Sequence, residues 1–365
     1  MKWIDLIKSE QHKSALVNIA KKLSTVQQGI PKDEAGEPTQ TYLEYLSILY
    51  PPEATEIIQQ LDVFPKVLSL IKLAKLLNRD KQELREILDP LADHFYLMKA
   101  GGYAIPTPLM IYDAPFILRR NLDSESIKEL ARLSRFFFEK EEYYKSWETS
   151  YKGTPRSRIL TVSEKIEPQH DIIPVEEVYH IIEQNESFAL VPCPCRRRAD
   201  IEGVRKCKDK YPVYNCIIIG PTAEGLLDLG DPENKRATKE EVIKIAKDAA
   251  EMGLVHTTDN YSGPANILCQ CCECCCGLLA GLTRPGLKNP KSIAQANYLA
   301  TVNPDNCAAC GTCVDRCKFN AISIAEFAKI NEERCMGCGL CAVTCPNDAI
   351  TMRRLERAPI PAPKK

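Results

Sequence analysis

The spacing of cysteine constrains this chain more than any other feature. Near the C-terminus Cys307, Cys310, Cys313 and Cys317 follow the pattern Cys-x2-Cys-x2-Cys-x3-Cys, and Cys335, Cys338, Cys341 and Cys345 repeat it, with Pro346 behind. Asn320-Ala321-Ile322 is answered by Asp348-Ala349-Ile350, and Gly311, Gly337 and Gly339 set small residues beside the sulfurs. The segment is therefore an internal duplication. Thiolates on tight loops, three converging on one core while the fourth reaches the next, are the ligand pattern of paired iron–sulfur clusters. Cys-x2-Cys also suits tetrahedral zinc, but zinc sites rarely need four evenly spaced cysteines per run.

These runs resemble the bacterial-type ferredoxins that carry two [4Fe-4S] clusters, over about residues 300–352. The resemblance implies one cluster on Cys307, Cys310, Cys313 and Cys345, and another on Cys335, Cys338, Cys341 and Cys317. Lys318 departs from the family pattern, which usually has proline there. No ligand is lost by that change; it loosens the local turn and bears on the potential.

A chain of 365 residues has room for two or three domains. Its formal charge of -1 provides no global field toward nucleic acid or an anionic membrane. Met1-Lys2-Trp3-Ile4-Asp5 carries charge where a signal peptide needs an apolar core, and no apolar run reaches bilayer length, so a cytoplasmic location is expected. Eighteen clustered cysteines then point to metal ligation in a reducing compartment rather than to disulfides. Oxygen threatens such sites, which makes anaerobic metabolism the expected setting.

The expected architecture is an α+β multidomain chain: an N-terminal helix and linker (1–40), a helical domain (41–150), a Cys-rich α/β domain (151–300) and the ferredoxin-like domain with its tail (301–365). Residues 1–28 show an amphipathic repeat through Leu16, Ile19, Ala20 and Leu23, and 29–40 reads as a flexible linker. Helices are expected at 41–50 and 52–61. A helix through Leu68, Ile71, Leu73, Ala74 and Leu77 is followed by a turn at Asn78-Arg79-Asp80 and a second helix through Leu84, Ile87 and Leu88, expected to stop or kink near Pro90. Phe95 to Lys99, a Gly101-Gly102 turn and Tyr103 to Ile105 read as a hairpin. Together they resemble a winged-helix module. The second helix carries Asp80, Glu83, Glu86 and Asp89 against Lys81 and Arg85, the wrong sign for a groove-reading helix, so DNA binding is disfavoured and protein docking favoured. A long helix over 123–147, capped by Ser124, brings Phe136, Phe137, Phe138, Tyr143 and Tyr144 for core packing.

In the central region, strands are expected at Ile159–Val162 and Ser187–Val191, and a helix over 175–184 behind Pro174. The second strand leads into Cys193-Pro194-Cys195-Arg196-Arg197-Arg198. Thr238 to Glu241 forms a capping box for a helix closed by Gly253. Beyond it lies Cys269-Gln270-Cys271-Cys272-Glu273-Cys274-Cys275-Cys276. Neighbouring side chains point in different directions, so these six thiols must serve more than one site. Cys193, Cys195, Cys207 and Cys216 fit a third cluster or a zinc, with the final cysteines of the 269–276 run holding a fourth cluster or completing the third; a mixed set pairing Cys193 and Cys195 with part of that run is also open. Arg196, Arg197 and Arg198 are candidates to stabilise a reduced cluster or to bind an anionic cofactor, against the simpler reading of a solvated basic face. His256 stands out among the histidines for its place before the cysteine-rich run, most simply as a structural cap. Cys275-Cys276-Gly277 resembles the Cys-Cys-Gly signature of heterodisulfide reductases, but the single upstream cysteine of that motif is missing between Cys216 and Cys269. No dinucleotide or Walker-type glycine pattern is present.

The expected function is single-electron relay by a multi-cluster iron–sulfur protein between the C-terminal pair and the central site or a partner oxidoreductase or carrier protein. Two alternatives stand beside it: a reductase using a cluster or dithiol in 269–276, and a redox-sensing regulator built on the winged helix.

Overall fold

Ser9 opens the first helix by accepting the His12 N–H, and α1 (Glu10–Leu23) buries His12, Ala15, Leu16, Ile19, Ala20 and Leu23 on one face. The computed structural model describes residues 6–26, 29–118, 124–149, 154–162, 177–355 and 360–361. The helix expected over 1–28 is thus shorter, and both its expected ends fall outside the described residues. The stretch 29–40, expected as a flexible linker, is a defined turn. Asp33 Oδ1 accepts the Ala35 and Glu37 N–H groups, each at 3.0 Å, and Lys32 bridges Pro38. An Asp that bonds the backbone two residues on fixes a loop its glycine and prolines would otherwise leave open.

The chain divides into two compact units, Met1–Tyr151 with Arg197–Val204, and Lys152–Arg196 with Arg205–Lys365. In the first, α2 (Gln40–Leu49), α3 (Pro52–Ile58), α4 (Leu70–Leu77) and α5 (Lys81–Asp93) precede a two-stranded ladder of β1 (Met98–Lys99) and β2 (Tyr103–Ala104), and then α6 (Pro108–Ile117), α7 (Ser124–Glu139) and α8 (Tyr143–Glu148). Helix α5 continues through Pro90 instead of stopping there. Proline forfeits one N–H bond, yet its carbonyl still accepts from His94 at 3.2 Å, and the helix ends within a turn. The acidic residues of α5 are committed internally: Asp80 caps the helix, Glu83 pairs with Arg79 at 2.5 Å, and Asp89 binds Lys99 at 2.9 Å and the Tyr103 hydroxyl. Ser124 begins α7, but the capping role expected of it falls outside the described residues. An aromatic core of Tyr42, Tyr45, Tyr112, Phe137, Tyr143 and Trp147 joins α2, α6, α7 and α8, with Tyr112 and Trp147 rings 4.5 Å apart. Phe137 and Phe138 are buried as expected, while Phe136 is exposed.

In the second unit, β3 (Ser157–Ile159), β4 (Phe188–Pro192), β5 (Tyr214–Ile219), β6 (Lys235–Ala237), β7 (Val255–Asp259) and β8 (Ile267–Cys271) build a six-stranded sheet ordered β3-β7-β8-β5-β4-β6, with α9 (Val178–Glu183), α11 (Pro221–Asp228) and α12 (Lys239–Met252) between its strands; α10 (Pro194–Ile201) starts in this unit and passes into the first at Arg197. Every ladder in the sheet is antiparallel, so the alternation that reads as α/β in sequence resolves as α+β here. Ile181, Ile182, Val242 and Ala246 from α9 and α12 pack on Phe188, Ile217, Ile219 and Leu268 of the sheet. The Thr238–Glu241 capping box and the Gly253 stop of α12 are both present.

After α13 (Ala280–Thr283), β9 (Tyr298–Val302) pairs antiparallel with β12 (Ile350–Arg354), enclosing α14 (Thr312–Arg316), the hairpin of β10 (Ile322–Ile324) and β11 (Ala328–Ile330), and α15 (Leu340–Val343). One core runs across position 300, from Ile159 and Val255 through Leu299 and Leu340 to Met352. The backbone is sewn as well: Thr161 Oγ1 donates to the Gly337 carbonyl at 2.8 Å, and the Ala296 N–H to Met336 at 3.1 Å.

Candidate metal centres

The duplication in sequence is a duplication in backbone geometry. Ala309 and Gly337, Gly311 and Gly339, and Asn320 and Asp348 all have φ between 48° and 82°, at matching places in the two halves. Asn and Asp tolerate this left-handed conformation better than other side chains. At each it turns the next N–H back onto a sulfur: Ala321 donates to Cys317 Sγ at 3.3 Å and Ala349 to Cys345 Sγ at 3.2 Å. Ala328 N–H adds a bond to Cys307 Sγ at 3.4 Å.

Cys307, Cys310, Cys313 and Cys345 line one pocket of about 330 Å³, including its mouth, and Cys317, Cys335, Cys338 and Cys341 line another of about 350 Å³. Each run lends its fourth cysteine to the other pocket. Among the described residues no three of these eight sulfurs lie within 4.8 Å of one another. Four thiolates spread around an enclosed space suit a cubane, whose irons and sulfides sit between the protein sulfurs. The pockets differ in access. Cys310 is exposed, whereas burial pushes the Cys338 thiol up to about 12.

The ten central thiols are arranged differently. Strand alternation places Cys269 and Cys271 of β8 on one face and Gln270 on the other. The chain then turns through 272–275, and this turn sends Cys272, Cys274 and Cys275 to Cys207. The sulfurs stand at 4.0 Å for Cys207–Cys272, 3.7 Å for Cys207–Cys275, 3.8 Å for Cys272–Cys274 and 3.6 Å for Cys274–Cys275, and all four lie within 4.8 Å of one another. Carbonyls of the turn are held from outside: Thr283 Oγ1 donates to Glu273 at 2.8 Å and Arg284 to Cys275 and Cys276.

The remaining six form a closed ring in which each thiol interacts with two others, in the order Cys193, Cys216, Cys269, Cys271, Cys276, Cys195. Cys271 and Cys276 sulfurs are 3.0 Å apart, and the Gly277 N–H donates to Cys195 at 3.5 Å. Hydrogen bonds from Cys269 and Cys276 hold the Cys271 thiol down at about 6. Cys193, Cys195 and Cys216 thus come together with Cys269, Cys271 and Cys276, while Cys207 lies with Cys272, Cys274 and Cys275.

The three arginines do not form one binding face. Arg196 is fully buried, donating to the Pro212 carbonyl at 2.9 Å, Asn215 Oδ1 at 2.5 Å and the Gln270 carbonyl at 2.5 Å. Burial disfavours its charge, but Cys193 and Cys216 of the ring and Cys272 of the four-thiol set outweigh that and raise its affinity for the proton. Arg198 belongs to the first unit, where it stacks on Tyr112 at 3.8 Å and pairs with Asp113 at 3.1 Å. Arg197 is half-buried. His256 is no cap: it lies within β7, where burial lowers it to about 4, and its Nδ1 bonds Gln270 Oε1.

Two residues carry more than their sequence positions indicated. Lys318, read as a loosened turn, is a buried cation that pairs with Glu273 at 3.0 Å and donates to the Tyr211 hydroxyl at 3.4 Å. It thereby ties Cys317 to the turn between Cys272 and Cys274. Arg316 caps α12 by donating to the Ala250 and Glu251 carbonyls. The signal for Lys318 was its departure from the repeat; Arg316 had none.

Residues 300–352 match the family model described as the 4Fe-4S dicluster domain. That segment is a ferredoxin-like, iron–sulfur-binding domain. No curated protein and no solved structure matches the chain. Among the described residues no helix is long and apolar enough to cross a membrane.

Proposed function

We propose that the chain is a multi-cluster electron-transfer protein of anaerobic metabolism, exchanging single electrons with a partner oxidoreductase or carrier. The observation that carries this reading is the pair of four-thiol pockets in the matched segment, each completed by a cysteine from the other run. In this reading Cys307, Cys310, Cys313 and Cys345 hold one [4Fe-4S] cluster, and Cys317, Cys335, Cys338 and Cys341 hold a second. Such clusters supply one-electron chemistry.

The protein's own residues set its direction and environment. N–H donation from Ala321, Ala328 and Ala349 stabilises charge on the sulfurs and raises the potential. Exposed Cys310 marks the outer pocket as the side that meets a partner, and the Lys318–Glu273 pair ties the inner pocket to the central thiols. Arg196 offsets the anionic charge gathered there. The helical unit, with its winged-helix-like order of helices and hairpin, serves docking in this reading. Exposed Val67, Ile71 and Leu76 beside Lys72 and Lys75 supply an apolar patch for it.

A second reading, reduction of a substrate at a dithiol, draws on Cys271 and Cys276, which are close enough to form a disulfide with release of two electrons and two protons. Redox titration of the anaerobically purified chain, followed by EPR, tests both. The relay reading expects two interacting one-electron centres that disappear in Cys313→Ser and Cys338→Ser and ignore added disulfide substrates. Absence of acid-labile sulfide would end it, and a signal that shifts with a disulfide substrate would move the assignment to the reductase.

A further inference from the structure

We propose that Cys207, Cys272, Cys274 and Cys275 hold a single tetrahedral metal ion, zinc in the first instance, and not a third or fourth cubane. The geometry of the sulfurs separates the two. Four thiolates on one zinc have metal–sulfur arms of about 2.3 Å, which makes the edges of the tetrahedron about 3.8 Å. Four of the six edges here run from 3.6 to 4.0 Å, and no edge exceeds 4.8 Å. A cubane interposes four irons and four sulfides between its thiolates, so its ligand sulfurs cannot touch. The same chain contains that other arrangement for comparison, in the two C-terminal pockets.

The surroundings match a closed structural site. Cys207, Cys272 and Cys275 are buried and Cys274 is half-buried, and four thiolates fill a tetrahedron with no position left for substrate. The one carboxylate within the turn, Glu273, is engaged by Lys318 at 3.0 Å and does not compete for the metal. Four thiolates on a divalent ion carry a net charge of minus two, and buried Arg196, which reaches Cys272, offsets part of it. Cys207 then serves as a staple: a ligand 65 residues from Cys272 fixes the turn 272–275, and with it the ring thiols on either side.

The test uses the anaerobically purified full chain. Zinc, iron and acid-labile sulfide are measured per chain in the parent protein and in Cys207→Ser and Cys274→Ser, and the zinc edge is examined by X-ray absorption. The proposal expects about one zinc per chain in the parent, with a single shell of four sulfurs at about 2.3 Å and no iron neighbour. Each variant loses zinc at least tenfold and keeps its sulfide. Loss of one iron at constant sulfide, with no zinc in the parent, also supports a single ion and names iron as that ion. A fall of about four sulfides per chain in both variants overturns the proposal in favour of a cubane, and so does a metal-free parent with two disulfides by thiol titration. The spectrum of the parent stands even if the variants misfold. Cys338→Ser, assayed alongside, reports the sulfide held by the C-terminal segment, so failure here leaves the electron-transfer reading intact.

Discussion

The C-terminal eight thiols and the central ten differ in how the backbone presents them. In the first region left-handed residues recur at matched positions, and the loops hold sulfurs apart around pockets. In the second, a strand end, a tight turn and two distant segments press sulfurs into contact. The lesson is that the separation between thiols, more than their number, decides what they can bind: a gap admits a preformed inorganic core, and contact admits a single ion or a disulfide.

The sharpest attempt to break this contrast is Cys338→Ser, which should cost about four irons and four sulfides per chain and leave the metal of the Cys207 set unchanged. Parallel loss of both metals would erase the distinction. Next, Arg196→Ala removes a fully buried cation that faces both central sets. It should destabilise by about 3–5 kcal/mol, measured by urea unfolding, with Arg196→Lys recovering part. Within the C-terminal region the two repeats are expected to respond unequally. Gly339 has φ +79° and a Cβ there would lie 3.3 Å from the Val162 backbone nitrogen, whereas Gly311 has φ +82° and open space. Gly339→Ala should therefore cost about 2–4 kcal/mol, and Gly311→Ala about 1–2 kcal/mol; equal costs would deny that the inner pocket is the one packed on the sheet. Lys318→Met, which cuts the link between the regions, should cost about 1–2 kcal/mol without changing iron content. Smallest is Ile71→Ser, outside both regions, which should alter stability by less than about 0.5 kcal/mol while weakening partner capture in a pull-down.

Much of the first region was legible because spacing within one run encodes the loop, and because Asn320-Ala321 and Asp348-Ala349 repeat the turn that returns an N–H to sulfur. The grouping of the ten was not legible. Its contacts join Cys207 to Cys272 and Cys195 to Gly277 across 65 and 82 residues, and no local pattern records such pairing. What was readable was that neighbouring thiols of the 269–276 run point in different directions and so divide between sites. The helix ends behaved likewise. Thr238 and Glu241 are a local signal and formed as read, whereas the 29–40 turn hinges on one Asp33 oxygen that composition hides among prolines and glycines. Lys318 was visible as an anomaly, but its partner Glu273 lies 45 residues away.

The eight residues from Cys269 to Cys276 alternate between customers: Cys269, Cys271 and Cys276 face the ring, and Cys272, Cys274 and Cys275 face Cys207. Such a ribbon is a phase-locked element. Inserting one residue between Cys271 and Cys272 would retain every cysteine of the chain and still turn the later thiols away from both destinations. An insertion in the 285–291 loop would shift no thiol at all. Length, in this stretch, is as much a part of the ligand set as sulfur.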